Sequence, residues 1–249
     1  MQREYHRWWS KDLSRDMELL CFGHAGTRVL VFPTSQGRFF EYENNGMVGS
    51  VADRIDNGQL QLYCVDSVDG ESWYNKHTHP YWRVQRHMQY ERYIVDDVLA
   101  LMEKKNQTPR LIATGCSFGA FHAANFGFRH PDKVTGIVTM GGAFDMKDFV
   151  DGWYGEDLYF NNPPDYLANS TDPWKYNHIR TVLATGEWDF CWEKNERFAT
   201  VLRNKGIRHE LYVWGDRSFH DWPFGGPWPG CTWSREDYCG RPLTGRTRS

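Results

Sequence analysis

The chain has 249 residues, with 29 Lys and Arg against 32 Asp and Glu, a formal charge of -3 and no long block of one sign. Such a balance excludes a polyanion or a lipid surface as the main partner, so neither nucleic acid nor a membrane is expected to bind. The opening residues carry no signal-peptide character and no apolar run reaches the roughly 18 residues of a membrane span, so a cytoplasmic domain with a substantial core is expected.

Short apolar runs alternate with longer amphipathic ones, the pattern of an α/β fold with a mainly parallel central sheet flanked by helices. Strands are predicted at 18–22 and 28–32, with His24-Ala25-Gly26 read as a hairpin turn, so the sheet would start antiparallel. A helix over about 41–55 ends at Asn57-Gly58 and leads into a strand at 60–65. The clearest helix covers 81–105, where Val84, Met88, Ile94, Val98, Leu101 and Met102 make an apolar stripe among charges.

A short buried strand at 110–114 runs into Gly115-Cys116-Ser117-Phe118-Gly119. Ala120, Phe121, Ala123, Ala124 and Phe126 then suit a helix packed closely on the sheet. A strand at 134–140 precedes a long aromatic, proline-containing stretch over 145–179, expected to form a cap-like segment. Strand 181–185, a helix over 193–205 stopped by Gly206, and a last strand at 210–214 complete the alternation, and His220 follows in a loop. The domain is expected to span 1–224. Residues 225–249, rich in Gly, Pro and Arg, read as an irregular or partly disordered tail.

Six scattered cysteines point to free thiols rather than a disulfide framework. The chain also holds 12 Trp, 13 Tyr and 15 Phe, many outside the strands. Such rings either line a pocket or cover the core beneath long loops, and Trp73, Tyr74 and Trp153 are assigned to substrate contact.

A serine hydroxyl needs exposure, an adjacent base and donors for the developing oxyanion before it attacks a carbonyl. Gly-x-Ser-x-Gly between a strand and a helix places the serine on a tight turn with glycines where neighbouring backbone comes close, which makes Ser117 the candidate nucleophile. Its partners are expected in the order acid, then histidine, each beyond a later strand. Asp189 and His220 occupy those positions. Glu187 is the alternative acid, and His122, on the helix after Ser117, is expected to point elsewhere. Of the two amides an oxyanion hole requires, one is assigned to Phe118 and the other to Ser35, with Gln36 as alternative. His77 and His79 lack a third ligand, so no metal is expected.

The chain resembles the esterase branch of the α/β-hydrolases that includes esterase D-like enzymes and bacterial mycolyltransferases. The resemblance rests on Val31-Phe32-Pro33-Thr34-Ser35-Gln36-Gly37, Cys64-Val65-Asp66-Ser67-Val68 with Glu71-Ser72-Trp73-Tyr74, the elbow, and His220-Asp221-Trp222-Pro223. It implies the α/β-hydrolase fold, Ser117 as nucleophile, Asp189 as acid, His220 as base, no cofactor, and a small-molecule carboxylic ester of small or medium acyl group as substrate. An acyltransferase with the same triad and a non-catalytic binding protein of the same fold are the competing expectations. Self-association into a homo-oligomer is compatible with all three.

Overall fold

The computed structural model describes residues 1–215 and 218–221. The expected end of the domain at 224, the tail at 225–249, Cys231 and Cys239 lie outside them. Eight strands, Arg3–Ser10 (β1), Arg15–Phe22 (β2), Thr27–Phe32 (β3), Leu60–Val65 (β4), Leu111–Cys116 (β5), Gly136–Met140 (β6), Arg180–Gly186 (β7) and Glu210–Trp214 (β8), form one sheet in the order β1-β2-β4-β3-β5-β6-β7-β8. Pairing is antiparallel from β1 through β2 to β4 and parallel from β4 to β8.

Both faces of the central strands are covered, which is why they read as apolar runs rather than alternations. Leu30 and Phe32 join a cluster with Tyr63, Ala113, Ala124 and Ile137, while Val29 and Val31 point the other way to Leu62, Cys64, Met47 and Val51. That split follows the two-residue period of a strand. On the first face lies the helix Phe118–Arg129 (α6), buried along its length apart from Arg129. Its small residues set the spacing. A Cβ on Gly127 would come within 2.5 Å of the Ile137 side chain.

Two expectations need correction. The strands around His24-Ala25-Gly26 do not form a hairpin, because β4 lies between them, antiparallel to β2 and parallel to β3. The connection steps over the start of β4. Gly23 and Gly26 have φ of +94° and +93°, and a Cβ on either would meet the backbone of Leu60 or Gln59. All six residues of β4 are buried, so the sheet interior is the only place that removes that strand from water.

The predicted helix at 41–55 is instead three short ones, Glu41–Asn44 (α1), Met47–Ser50 (α2) and Ala52–Asp56 (α3). Asn44-Asn45-Gly46 breaks the first, with Gly46 at φ +75°. The strand β1 was not predicted. It is an edge strand whose residues alternate between exposed and half-buried, and Arg3 and Arg7 on its exposed face discourage further strand pairing.

The helix expected at 81–105 is present as Pro80–Tyr93 (α4) and Leu99–Lys105 (α5), joined without a break by a π turn at Ile94–Val98. The stretch 145–179 contains single turns at Met146–Phe149 and Pro173–Tyr176 and the helices Glu156–Tyr159 (α7) and Pro163–Ala168 (α8). The helices pack on α4, α6 and the last helix, Trp192–Asn204 (α9). Cys21, Cys64, Cys116 and Cys191 are free thiols. Among the described residues no helix is long and apolar enough to cross a membrane.

Candidate active site

Strand β5 delivers the chain into a turn at Ser117, whose φ of 55° and ψ of -115° lie where a non-glycine residue is strained. The flanking glycines make that turn feasible. A Cβ on Gly115 would stand 2.4 Å from the Gly119 backbone, and one on Gly119 would stand 2.5 Å from the carbonyl oxygens of Phe32 and Pro33. Ser117 N–H donates to Met140 O at 2.8 Å and Ala143 N–H donates to Ser117 O at 3.2 Å, which ties the turn to the end of β6.

The structure brings Ser117, His220 and Asp189 together. His220 Nε2 lies 2.8 Å from Ser117 Oγ, and His220 Nδ1 lies 2.7 Å from Asp189 Oδ1. Asp189 Oδ1 also accepts from Cys191 N–H at 2.7 Å, and Oδ2 accepts from the Thr185 hydroxyl at 3.1 Å. Burial alone would raise the Asp189 carboxyl, but the bonds from His220 and Cys191 outweigh it and hold the group below its usual range. The group therefore stays an acceptor for the imidazole. Glu187 is exposed and takes no part. His122 is buried, with Nε2 2.8 Å from Asp69 Oδ1.

In the turn after β3, Thr34 N–H donates to Glu41 Oε2 at 2.7 Å, Gln36 N–H to Asp69 Oδ2 at 3.2 Å, and Gly37 N–H to Thr34 O at 2.9 Å. Ser35 N–H is the amide of this turn left without a partner among the described residues. Phe118 N–H stands in the first turn of α6, where amides lack a partner one turn back. The backbone contact of Gly119 with Phe32 and Pro33 sets the two segments side by side.

Among solved structures, a ferulic acid esterase superposes with a TM-score of 0.72 at 16% identity, covering 89% of this chain and 92% of that one. An S-formylglutathione hydrolase from Agrobacterium tumefaciens does so with 0.71 at 14% identity, covering 88% of each chain. MPT51 (FbpC1) of Mycobacterium tuberculosis gives 0.66 at 11%, covering 88% of this chain and 92% of that one. The chain has the α/β-hydrolase fold. No family model matches the sequence, and no curated protein matches it either.

Within this fold the three residues assigned to substrate contact have different surroundings. Trp73 is fully buried, its ring 5.1 Å from His87 and 5.7 Å from Phe121, and is a core residue. Tyr74, the next residue, is only half-buried. The Tyr74 hydroxyl donates to Ser35 Oγ at 2.7 Å, and its ring lies edge-on to Phe118 and Phe149. Trp153 is half-buried against His79 and Tyr81 at the start of α4.

Several neighbours of the site escaped sequence reasoning. Gly141, at φ +57°, leaves room that a Cβ would fill at 2.7 Å from Asp189 Oδ2 and 2.9 Å from His220 Nδ1. Asn195 on α9 bridges both backbone groups of Gly142 and steadies that turn. Phe190, three-quarters exposed, sets its ring 4.1 Å from the His220 ring, while Trp188 and Phe219 lie edge-on to each other beside it. The φ of Gly141 has no local sequence signal, but a bulky pair around the acid, Trp188 and Phe190, could have been read as site-lining.

Asp189, Cys191 and His220 place donor atoms within 4.8 Å of one another. Burial, with the Asp189 charge, pushes the Cys191 thiol up to about 12, which disfavours the thiolate a metal would need. His79 Nδ1 accepts from Tyr81 N–H and so caps α4.

Proposed function

We propose that the protein is a serine hydrolase of carboxylic esters. Ser117 Oγ attacks the ester carbonyl carbon as its proton passes to His220 Nε2, and Asp189 holds the imidazole by Nδ1 and stabilises the imidazolium. The oxyanion accepts from Phe118 N–H and Ser35 N–H. Collapse returns the proton from His220 to the departing alcohol and leaves an acyl-Ser117, which water cleaves by the same route in reverse. The observation that carries this reading is the pair of contacts at 2.8 and 2.7 Å that joins a half-buried serine on a strained turn to histidine and carboxylate. The esterases and hydrolases named among the solved structures of this fold support it.

The test is intact-mass analysis after treatment with a fluorophosphonate, paired with a series of p-nitrophenyl esters of increasing acyl length. One adduct per chain, lost in Ser117→Ala together with about 10³-fold or more in turnover, is expected. A protein that takes no adduct and cleaves no ester is a binding protein with this fold. Product analysis with added alcohols separates hydrolysis from acyl transfer.

A further inference from the structure

Asp69 is a fully buried carboxylate, and a charge withdrawn from water persists only where its surroundings compensate it. Its compensation spans two parts of the site. Oδ1 faces Nε2 of His122, a residue of the nucleophile helix, at 2.8 Å, and Oδ2 accepts from Gln36 N–H in the turn after β3 at 3.2 Å. Its carbonyl oxygen accepts from Tyr74 N–H at 3.0 Å, and the Tyr74 hydroxyl reaches Ser35 Oγ. Ser35 is therefore gripped through Asp69 from both sides, by its neighbour Gln36 and by Tyr74. Gln36 is held at φ +55°, in the left-handed region, a conformation that an unrestrained glutamine abandons.

Resting on the ester-hydrolase reading above, we propose that Asp69 and His122 are positioning residues that fix the spacing between the two oxyanion donors, Phe118 N–H on α6 and Ser35 N–H on the opposite turn. Neither touches the reacting atoms. His122 is one helical turn beyond Phe118 and its ring lies 5.2 Å from the Phe118 ring, so the Asp69–His122 contact ties the turn to the helix that carries the other donor. Loss of the tie lets Ser35 drift while Ser117, His220 and Asp189 stay together. A drift of about 1 Å in a stabilising group is enough to cost on the order of 10²-fold in rate.

The test compares Asp69→Ala, Asp69→Asn and His122→Phe with the wild type, with every rate divided by the fraction of Ser117 that a fluorophosphonate titrates. Asparagine keeps an oxygen for Gln36 N–H and, once His122 carries its proton on Nδ1, donates from its NH2 to Nε2, so it is the conservative replacement. Expected for Asp69→Ala is a kcat lower by about 10- to 100-fold with KM within about threefold, and a parallel loss of affinity for a trifluoromethyl ketone, whose adduct carries the oxyanion. Asp69→Asn should recover to within about fivefold of wild type. His122→Phe, which keeps the ring and removes the hydrogen bond, should lose at least about threefold in kcat and decides the matter if Asp69→Ala fails to fold.

Titrated Asp69→Ala or His122→Phe enzyme with wild-type kcat, or a loss confined to KM, overturns the positioning role while Ser117-dependent hydrolysis stands. A wild type without Ser117-dependent hydrolysis overturns the enzymatic reading and this inference with it.

Discussion

At the level of single residues, the choice between two carboxylates is made by position. Glu187 and Asp189 are two residues apart, but only Asp189 turns inward to meet His220, Cys191 N–H and Thr185. Asp189→Asn removes the acceptor that holds the histidine tautomer, and kcat for ester hydrolysis should fall on the order of 10²- to 10⁴-fold. Glu187→Gln should change it by less than about threefold, since that side chain is exposed. The opposite ranking in folded proteins would reassign the acid. Gly141→Ala combines an unfavourable φ with a methyl group 2.7 Å from Asp189 Oδ2, so it should part acid from base and cost at least about tenfold in kcat. Steady-state kinetics with a p-nitrophenyl ester checks all three variants.

At the level of elements, Gly46 provides a clean measure of what backbone conformation alone contributes. It separates α1 from α2 at φ +75°, and a Cβ there would have nothing within 4 Å. Gly46→Ala therefore introduces no clash, only the penalty of a left-handed alanine, about 1–2 kcal/mol. Gly46→Asn should cost less, because asparagine tolerates that region. Urea unfolding curves with unchanged slope would give both values. Equal stability of all three proteins would mean that the break between α1 and α2 moves freely. Gly119 is the contrasting case, because its missing Cβ faces the carbonyl oxygens of Phe32 and Pro33 at 2.5 Å, and backbone cannot rotate away as a side chain does. Gly119→Ala is expected to cost about 1–3 kcal/mol or more by the same measurement.

Across the whole molecule, acid sensitivity is built into the layer between α4 and α6. Burial, with His122 alongside, lowers His87 to about 3, whereas an unfolded histidine titrates near 6.5. Below 6.5 the unfolded chain gains a proton that the folded chain refuses, so stability is complete above 6.5 and declines as pH falls towards 3. The slope from this group is about 1.4 kcal/mol per pH unit. Glu91 acts in a lower window. Burial by itself would raise it, but His130 and Arg129 together bring it to about 2, so its contribution is complete above the unfolded value of 4.5 and disappears as pH falls through about 2. Melting temperature should thus decrease by about 3–6 °C per pH unit below pH 6. His87→Phe should flatten the profile between pH 6 and 4. A variant that keeps the wild-type slope would rule out His87 as its source.

The turn at Ser117, the alternation of strands and helices and the order of Ser117, Asp189 and His220 were legible because each is written in contiguous residues: a buried run, two glycines around a serine, a loop after a strand. The α/β class followed from those local patterns, and the α/β-hydrolase fold from the family resemblance that the motifs carry. Strand order did not, since nothing in residues 18–32 tells that β4, which begins only at Leu60, enters between β2 and β3. That outcome depends on how the strands cover one another, a property of the assembled sheet. Trp73 and Tyr74 were indistinguishable as adjacent aromatics, and only packing on His87 and Phe121 placed one in the core and the other beside Ser35. Asp69 and His122, 53 residues apart, had no motif to join them. Their meeting was decided by the tertiary structure, because a buried carboxylate takes whatever donors the folded chain brings within reach.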